Sequence, residues 1–295
     1  MLTAELIRKA KRIEVASRRL VDEMLGGQFS SVFKGRGLVF SDLRPYQSGD
    51  DVRTIDWNVS ARMNMPHVKQ FVEERDRTIN ILIDLSAASR FGSRGALKRD
   101  LAAEMAAAIA FSAIRNQDRI GLMLMTDKLE RYVPPKKGKK HVLRIIGEIL
   151  GFEPASGGTD LGKGLDFFTR VSRGKSVLFI LSDFESEGWE TSMGIAARRN
   201  EVIPVVVTDP LEQALPSVGL VQFEDLETGE VVEIDTSDVG AKDFATLASA
   251  RAAARDQALL RLDLEVVRVR TDQDFVEPLV NYFRLRAERP GRKKR

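Results

Sequence analysis

Apolar and polar positions follow a regular pattern from about residue 77 onwards. Compact apolar runs rich in β-branched residues, typical of buried strands, alternate with longer segments in which apolar residues recur every three or four positions. The strands predicted from the compact runs are residues 79–83, 119–125, 130–133, 176–181, 202–207 and 264–269. The helices predicted from the longer segments are residues 97–115, 141–150, 161–171, 188–200, 244–262 and 275–286.

This alternation favours right-handed crossovers and a mainly parallel sheet with helices on both faces. We therefore predict an α/β fold: a doubly wound, mainly parallel sheet of five parallel strands, with residues 130–133 as an antiparallel strand at one edge. Residues 219–236 interrupt the alternation with two apolar runs around Glu-Thr-Gly-Glu, which predicts a hairpin insertion. Sheets of this type bind ligands outside the carboxyl ends of their strands, at the point where the strand order reverses.

The N-terminal part of the chain has a different character. Residues 3–25 have the periodicity of an amphipathic helix that two glycines end, and residues 30–75 hold turn residues and charges with few apolar runs. These differences divide the chain into three predicted regions. Residues 1–76 are predicted to be a helix and turn-rich α/β-hairpin appendage, residues 77–287 the α/β domain, and residues 288–295 a basic tail.

Composition narrows the possible chemistry. The 295 residues include no cysteine, which excludes disulfides, thiolate zinc sites and thiol nucleophiles. The two histidines are not expected to be ligands: we interpret His67 as exposed or capped and His141 as a surface residue. The net charge is +3, and its basic clusters at 8–12, 136–140 and 292–295 have no interleaved aromatic residues, so nucleic-acid binding is not predicted.

The chain contains no apolar segment near the about 18 residues that a membrane-spanning helix needs. Its first 25 residues carry charges throughout and lack the apolar block of a signal peptide. We therefore expect no membrane insertion and a cytoplasmic location.

Polar side chains follow two of the predicted strands. Asp84 and Ser86 leave the first strand in Ile-Asp-Leu-Ser-Ala-Ala, and Asp183 follows the fourth in Leu-Ser-Asp-Phe. With a strand order of 3-2-1-4-5-6, these strands are neighbours at the reversal and both carboxylates face one crevice. The Ser-Gly-Gly-Thr-Asp turn at 156–160 adds the hydroxyl of Thr159. Such an all-oxygen set suits magnesium or manganese.

These positions resemble the metal-ion-dependent adhesion site of the von Willebrand factor A-type fold, which reads Asp-x-Ser-x-Ser, then Thr, then Asp. Asp84, Ser86, Thr159 and Asp183 match four of its five positions, and Ala88 stands where the pattern has a hydroxyl. The resemblance implies that the serine and threonine contact Mg²⁺ or Mn²⁺, that the aspartates act through water, and that a partner's acidic side chain fills an open position. Water would replace the missing ligand, since magnesium usually keeps several waters.

A second stretch is longer and more specific. Residues 35–57 read Gly-Arg-Gly-Leu-Val-Phe-Ser-Asp-Leu-Arg-Pro-Tyr-Gln-Ser-Gly-Asp-Asp-Val-Arg-Thr-Ile-Asp-Trp, and residues 60–62 and 68–76 continue the pattern. The stretch resembles the signature of a bacterial family, domain of unknown function 58, over roughly residues 15–285. This resemblance implies an adaptor without chemistry of its own that works with a MoxR-type AAA+ ATPase and an unknown protein client.

Two other functions remain open. A magnesium-dependent phosphohydrolase also has an aspartate at its first strand end, but Ser86 stands where its acid–base aspartate should be. A metal-independent interaction module would keep Asp84 and Asp183 as hydrogen-bonding structural residues, and Ala88 favours this alternative. The metal-using, non-enzymatic adaptor is the function that the motif favours, because four matches outweigh one gap.

Two further segments have competing interpretations. Residues 157–164 nearly spell a P-loop, but Gly164 replaces the magnesium-binding hydroxyl and the segment follows a helix, so Lys163 is expected to be exposed at a helix start. The polar segment between residues 44 and 62 is interpreted as turns and ion pairs that tie the appendage to the main domain, with a second binding surface as the alternative. In this segment Trp57 is either a packing anchor or an interface residue.

Overall fold

The computed structural model describes residues 38–73, 77–94, 96–226 and 228–288, together with residue 15. The helix predicted at 3–25, apart from residue 15, and the basic tail lie outside the described residues. The described residues divide into two compact units: residues 38–73 and 77 form the first, and the residues from 78 on, together with residue 15, form the second.

The first unit is a hairpin with a short helix between its strands. Strand β1 (Leu38–Pro45) pairs antiparallel with β2 (His67–Glu73), and helix α1 (Trp57–Met63) lies in the connection. The side chain of Asp56 caps α1 by accepting hydrogen bonds from the backbone N–H groups of Asn58 and Val59. The sequence pattern predicts strands and turns here but not this helix.

The second unit contains the remaining strands and helices. Its strands are β3 (Thr78–Asp84), β4 (Arg119–Met125), β5 (Leu129–Lys136), β6 (Val177–Ser182), β7 (Glu201–Thr208), β8 (Leu220–Glu224), β9 (Val231–Asp235) and β10 (Val267–Arg270). Its helices are α2 (Lys98–Asn116), α3 (Lys139–Gly151), α4 (Leu161–Val171), α5 (Glu190–Arg199), α6 (Pro210–Gln213), α7 (Asp238–Arg261) and α8 (Val276–Glu288).

Within the described residues, six strands form one sheet in the order β10-β7-β6-β3-β4-β5. Strand β5 runs antiparallel to β4, and all other neighbours are parallel. If these six strands are numbered 1 to 6 in chain order, so that β3 is 1 and β10 is 6, the sheet read from β5 has the order 3-2-1-4-5-6. The sequence prediction of a doubly wound, von Willebrand factor A-like sheet is therefore confirmed. The order reverses between β3 and β6.

Helices cover both faces of this sheet because alternate strand residues point in opposite directions. On one face, α4, α5 and the end of α7 pack on Leu82, Met123, Leu178 and Ile180. On the other face, α2 packs against α3 and contacts β3, β4 and β7 through a run of buried alanines. The predicted hairpin is also confirmed, as β8 and β9 pair antiparallel in a separate two-stranded sheet.

Candidate functional site

The carboxyl ends of β3 and β6 lie side by side where the strand order reverses. Asp84 is the last residue of β3, and Asp183 follows directly after Ser182, the last residue of β6. The pairing of Ile83 with Leu181 brings the two strand ends level. The sheet topology therefore places both predicted aspartates at one edge, as the sequence pattern predicts.

Asp84 is a buried carboxylate, and each of its oxygens accepts a hydrogen bond from the protein. Its Oδ1 accepts a 2.9 Å hydrogen bond from the backbone N–H of Ser86, and its Oδ2 accepts one of 2.8 Å from the Ser182 hydroxyl. The side chain is 5% exposed. Burial, followed by the negative charge of Asp183, raises the pKa of Asp84 to about 6 although these hydrogen bonds oppose the shift.

Asp183 is paired with a lysine that the sequence pattern does not single out. Its Oδ2 accepts a 2.7 Å hydrogen bond from Lys98 Nζ, and the Lys98 ammonium also donates to Glu212. Lys98 is 3% exposed although it carries a charge. Burial alone would lower the pKa of Lys98, but the charges of Asp183 and Glu212 outweigh it and raise the pKa above its ordinary value.

Ser86 and Ser89 both lie in the turn that leaves β3. Ser86 is 1% exposed, and its carbonyl oxygen accepts a 2.6 Å hydrogen bond from the Ser89 hydroxyl. Ala88 is half-buried and offers no side-chain oxygen. Ser89 therefore does not take the place of the missing hydroxyl at position 88, because its own hydroxyl is directed at the backbone.

A small cavity of about 10 Å³ lies between these groups, which is space for about one water molecule. Its polar lining comes from both strand ends and from the start of α2: Asp84, Ser86, Ser89, Lys98, Ser182 and Asp183. Three of the four predicted metal ligands thus meet at one cavity.

Thr159 is the predicted ligand that does not line this cavity. It is half-buried in the loop between α3 and α4. That loop does reach the same edge of the sheet, since the carbonyl of Gly157 accepts a 2.7 Å hydrogen bond from the N–H of Ala87. Asp160 then caps α4 by accepting a 2.9 Å bond from the N–H of Lys163.

Hydrogen bonds and an ion pair within the protein already engage both aspartates. Each oxygen of Asp84 accepts one hydrogen bond, and the Lys98 ammonium is paired with Asp183. The predicted ligand set stays a prediction, and the geometry favours the metal-independent alternative.

A third carboxylate lies at the end of the neighbouring strand, β7. Asp209, which follows β7, has no exposed surface and accepts hydrogen bonds from the backbone N–H and hydroxyl of Ser93 and from the hydroxyl of Thr271. Burial alone would raise the pKa of Asp209, but these hydrogen bonds outweigh it and lower the pKa. Asp209 also caps α6, and Glu212 completes a capping box by accepting from the N–H of Asp209.

Sequence reasoning missed Lys98, Ser182, Asp209 and Glu212. The Asp-Pro-Leu-Glu text of the capping box could have revealed the start of α6, because Asp followed by Pro and then Glu is a helix-start signature. Lys98 had a weaker signal: a lysine at the first position of a helix opposes the helix dipole and needs a compensating charge.

Both histidines are more buried than a surface position would make them. Of the two alternatives for His67, exposure is wrong, since it is 7% exposed, whereas a capped ring agrees with the 2.8 Å between its Nδ1 and the carbonyl oxygen of Met65. His141 is half-buried rather than a free surface residue, with Nε2 at 2.8 Å from the carbonyl oxygen of Ile120. Each ring is held by a backbone carbonyl because a partly buried imidazole needs a hydrogen-bond partner.

The P-loop resemblance at 157–164 has a structural explanation. Lys163 is 64% exposed at the start of α4 and pairs with Asp160 at 3.0 Å, as expected from the sequence. Gly164 faces the sheet, where an added Cβ would lie 3.0 Å from Met125 and 3.1 Å from Leu82. The glycine therefore allows a close helix–sheet approach.

The polar segment of the first unit contains the predicted turns and an ion pair. Arg44 and Asp50 form two parallel hydrogen bonds of 2.6 and 2.7 Å, and Asp51 caps a 3₁₀ turn at Val52–Thr54. Trp57 is 69% exposed, so its interpretation as a packing anchor is wrong. An exposed tryptophan suits the alternative, a contact residue for a partner.

The fold and this polar strand edge define a von Willebrand factor A-like α/β protein. The chain belongs to the family described as "Protein of unknown function DUF58", whose profile matches residues 42–254. This confirms the family predicted from the signature at 35–76. No helix in the described residues is long and apolar enough to cross a bilayer.

Relatives and solved structures with similarity to the chain include bacterial proteins. An uncharacterized protein of Mycobacterium tuberculosis is 31% identical over 279 residues, which cover 94% of this chain and 88% of the relative. BatB from Bacteroides thetaiotaomicron is 13% identical with a TM-score of 0.47, covering 72% of this chain and 100% of that chain. The SpRpn10 VWA domain is 15% identical with a TM-score of 0.36, covering 70% and 94%.

Proposed function

We propose that the chain is a non-enzymatic, cytoplasmic protein-binding adaptor that works with a MoxR-type AAA+ ATPase and a protein client. Its recognition surface is the carboxyl edge of the six-stranded sheet. The observation that carries this proposal is the state of the two strand-end aspartates. Asp84 has both oxygens hydrogen-bonded within the protein, and Asp183 is paired with Lys98.

A phosphohydrolase would need a different arrangement at the same place. A nucleophilic aspartate must offer a free oxygen to the substrate, and an acid–base group must lie beside it. Here Asp84 is 5% exposed, and Ser86, two positions later, is 1% exposed. The strand edge is therefore a satisfied polar network that shapes a surface, which suits binding better than bond cleavage.

The family resemblance supports the choice of partner. Proteins with the signature at 35–76 typically accompany MoxR-type AAA+ ATPases, and the family profile, at residues 42–254, covers most of the signature and most of the α/β domain. Exposed Trp57, with Met63 at 60% exposure, adds a second contact surface on the first unit.

Charge reversals at opposite ends of the sheet test the recognition surface. Arg90 is exposed in the turn after β3, at the carboxyl edge, whereas Lys175 is exposed just before β6, at the amino edge. Arg90→Glu should weaken capture of the neighbouring MoxR-type ATPase by about tenfold or more, because the acidic partner side chain that the adhesion-site resemblance implies would then face a like charge. Lys175→Glu should bind like the wild type.

Capture is best measured with purified proteins and immobilised adaptor. Equal weakening by both reversals, or no capture of the ATPase by the wild type, would contradict the proposal. A parallel screen with phosphomonoesters and ATP tests the enzymatic alternative. Turnover that Asp84→Asn abolishes would favour the phosphohydrolase instead.

A further inference from the structure

A buried lysine opens helix α2 at the polar strand edge. Lys98 is the first residue of α2, and its backbone N–H donates a 2.9 Å hydrogen bond to the carbonyl of Phe91. Burial removes the hydration of its ammonium, and the helix N-terminus adds a positive partial charge beside it. A lysine side chain is long enough to reach solvent from most surface positions, so its burial here requires partners that stabilise the charge.

Those partners are two carboxylates from different segments. Asp183, 10% exposed, follows β6, and Glu212, 32% exposed, belongs to α6 after β7. Glu212 is itself fixed, because its other oxygen accepts a 2.9 Å hydrogen bond from the N–H of Asp209. The ammonium thus joins three elements at the carboxyl edge, and it does so with the compact charge and multiple donors that a bridging cation needs.

The position of this ammonium conflicts with a divalent ion at the predicted ligands. A metal held by Asp84 and Asp183 would share the Asp183 carboxylate with Lys98 in the same small cavity. Two cations about 4 Å apart repel strongly where water is largely excluded. Lys98 is 3% exposed, so moving its ammonium away from Asp183 would break an ion pair formed largely out of contact with water.

We propose that the Lys98 ammonium is the resident cation of this strand-edge site, taking the place that a divalent ion holds in adhesion-type sites. The fold and any partner binding at this edge are then independent of divalent metal. The Lys98 ammonium has this role whichever protein the edge recognises.

Thermal unfolding of three variants tests the role of the ammonium. Lys98→Met keeps the side-chain length but removes the charge, and Tm should fall by roughly 5–15 °C because two carboxylates lose their counter-ion. Lys163→Met is the matched control: it also removes a lysine paired with an aspartate in the first turn of a helix, but at 64% exposure, and should shift Tm by about 2 °C or less.

The double variant Lys98→Met/Asp183→Asn removes both charges and should recover at least half of the Tm lost by Lys98→Met. It keeps the test available if Lys98→Met alone fails to fold. A loss in Lys98→Met no larger than in Lys163→Met, or no recovery in the double variant, would overturn the role of the ammonium.

Metal titration of the wild type tests the independence from divalent ions. Tm should be the same in magnesium, in manganese and in chelator, and calorimetric titration with either ion should show no binding heat. A Tm that magnesium raises and chelator lowers, with a heat that Asp183→Asn abolishes, would overturn the proposal and restore the predicted metal site. Because these measurements use the adaptor alone, they are separate from any failure to capture the ATPase.

Discussion

The Ser182 hydroxyl donates a 2.8 Å hydrogen bond to Oδ2 of Asp84 across the junction where the strand order of the sheet reverses. The same hydroxyl oxygen accepts a 3.0 Å bond from the N–H of Phe184. Phe184 has a φ of 58°, a left-handed conformation that non-glycine residues rarely adopt. One buried hydroxyl therefore joins the end of β3 to a strained turn after β6.

Removing this hydroxyl should destabilise the protein. Ser182→Ala leaves an oxygen of Asp84 and the N–H of Phe184 without their partner, so the free energy of unfolding should fall by about 1–3 kcal/mol. Urea denaturation measures this difference. Ser217→Ala, at an exposed serine, should change it by no more than about 0.5 kcal/mol. Equal effects of the two substitutions would contradict the structural role of Ser182.

The raised pKa of Asp84 predicts a stability that depends on pH. Burial and the charge of Asp183 raise this pKa from 3.8 to about 6, so the folded chain binds the proton more tightly than the unfolded chain. The stabilising contribution of protonated Asp84 is complete below the unfolded value and is lost as the pH rises through about 6.

Asp84→Asn should remove this dependence, because the amide is uncharged, its oxygen can still accept from the Ser86 N–H, and its NH2 group can donate to the Ser182 hydroxyl oxygen. At pH values well above 6 the variant should be more stable than the wild type, by on the order of 1–3 kcal/mol. Urea denaturation of both proteins from acid to mildly alkaline pH checks this. A difference between variant and wild type that stays constant across this range would show that Asp84 does not titrate there.

Two helical glycines should respond in opposite ways to alanine. At Gly164 in α4, a Cβ would lie 3.0 Å from Met125 and 3.1 Å from Leu82, so Gly164→Ala should cost about 1–2 kcal/mol despite the better helix propensity of alanine. At Gly147 in α3 a Cβ meets nothing within 4 Å, so Gly147→Ala should gain about 0.5–1 kcal/mol. Chemical denaturation of both variants measures the contrast, and a gain at both positions would mean that α4 can move away from the sheet.

The ion pair of the first unit should be visible as a low carboxyl pKa. Hydrogen bonds from the Arg44 guanidinium, and then from the N–H of Gln47, lower the pKa of Asp50 to about 2. Arg44→Met removes the larger cause, so the pKa should return toward 3.8. Carboxyl-detected NMR titration of both proteins measures it. An Asp50 pKa that is unchanged in the variant would assign the shift to the backbone of the turn instead.

The sheet could be predicted from the sequence because its signal is local and repeated. Each buried strand is a compact apolar run, each helix has its own periodicity, and the handedness of crossovers then limits the strand order. Strand β5 is longer than predicted because it extends through Pro134 and Pro135. An edge strand tolerates prolines, since one side of its backbone needs no partner in the ladder.

The contacts of the candidate site could be predicted only in part. Asp84 and Asp183 were predictable from the sequence because strand ends show in the apolar pattern and the topology of the sheet brings these two strand ends together. The partners of Lys98 were not, because Asp183 and Glu212 lie 85 and 114 residues away and no local pattern links them. A lysine at a helix start otherwise resembles any solvated charge until its burial is known.

The hydrogen bonds to Asp209 determine how early during its synthesis the protein can complete its fold. Its hydroxyl donors Ser93 and Thr271 lie 116 residues before it and 62 residues after it. A nascent chain that has emerged only through β7 still lacks β10, and with it one of the groups that compensate this buried carboxylate. The hydrogen bonds to Asp209 are complete only after residue 271 has left the ribosome. Chains whose synthesis stops short of β10 should therefore be substrates for quality control rather than partial adaptors.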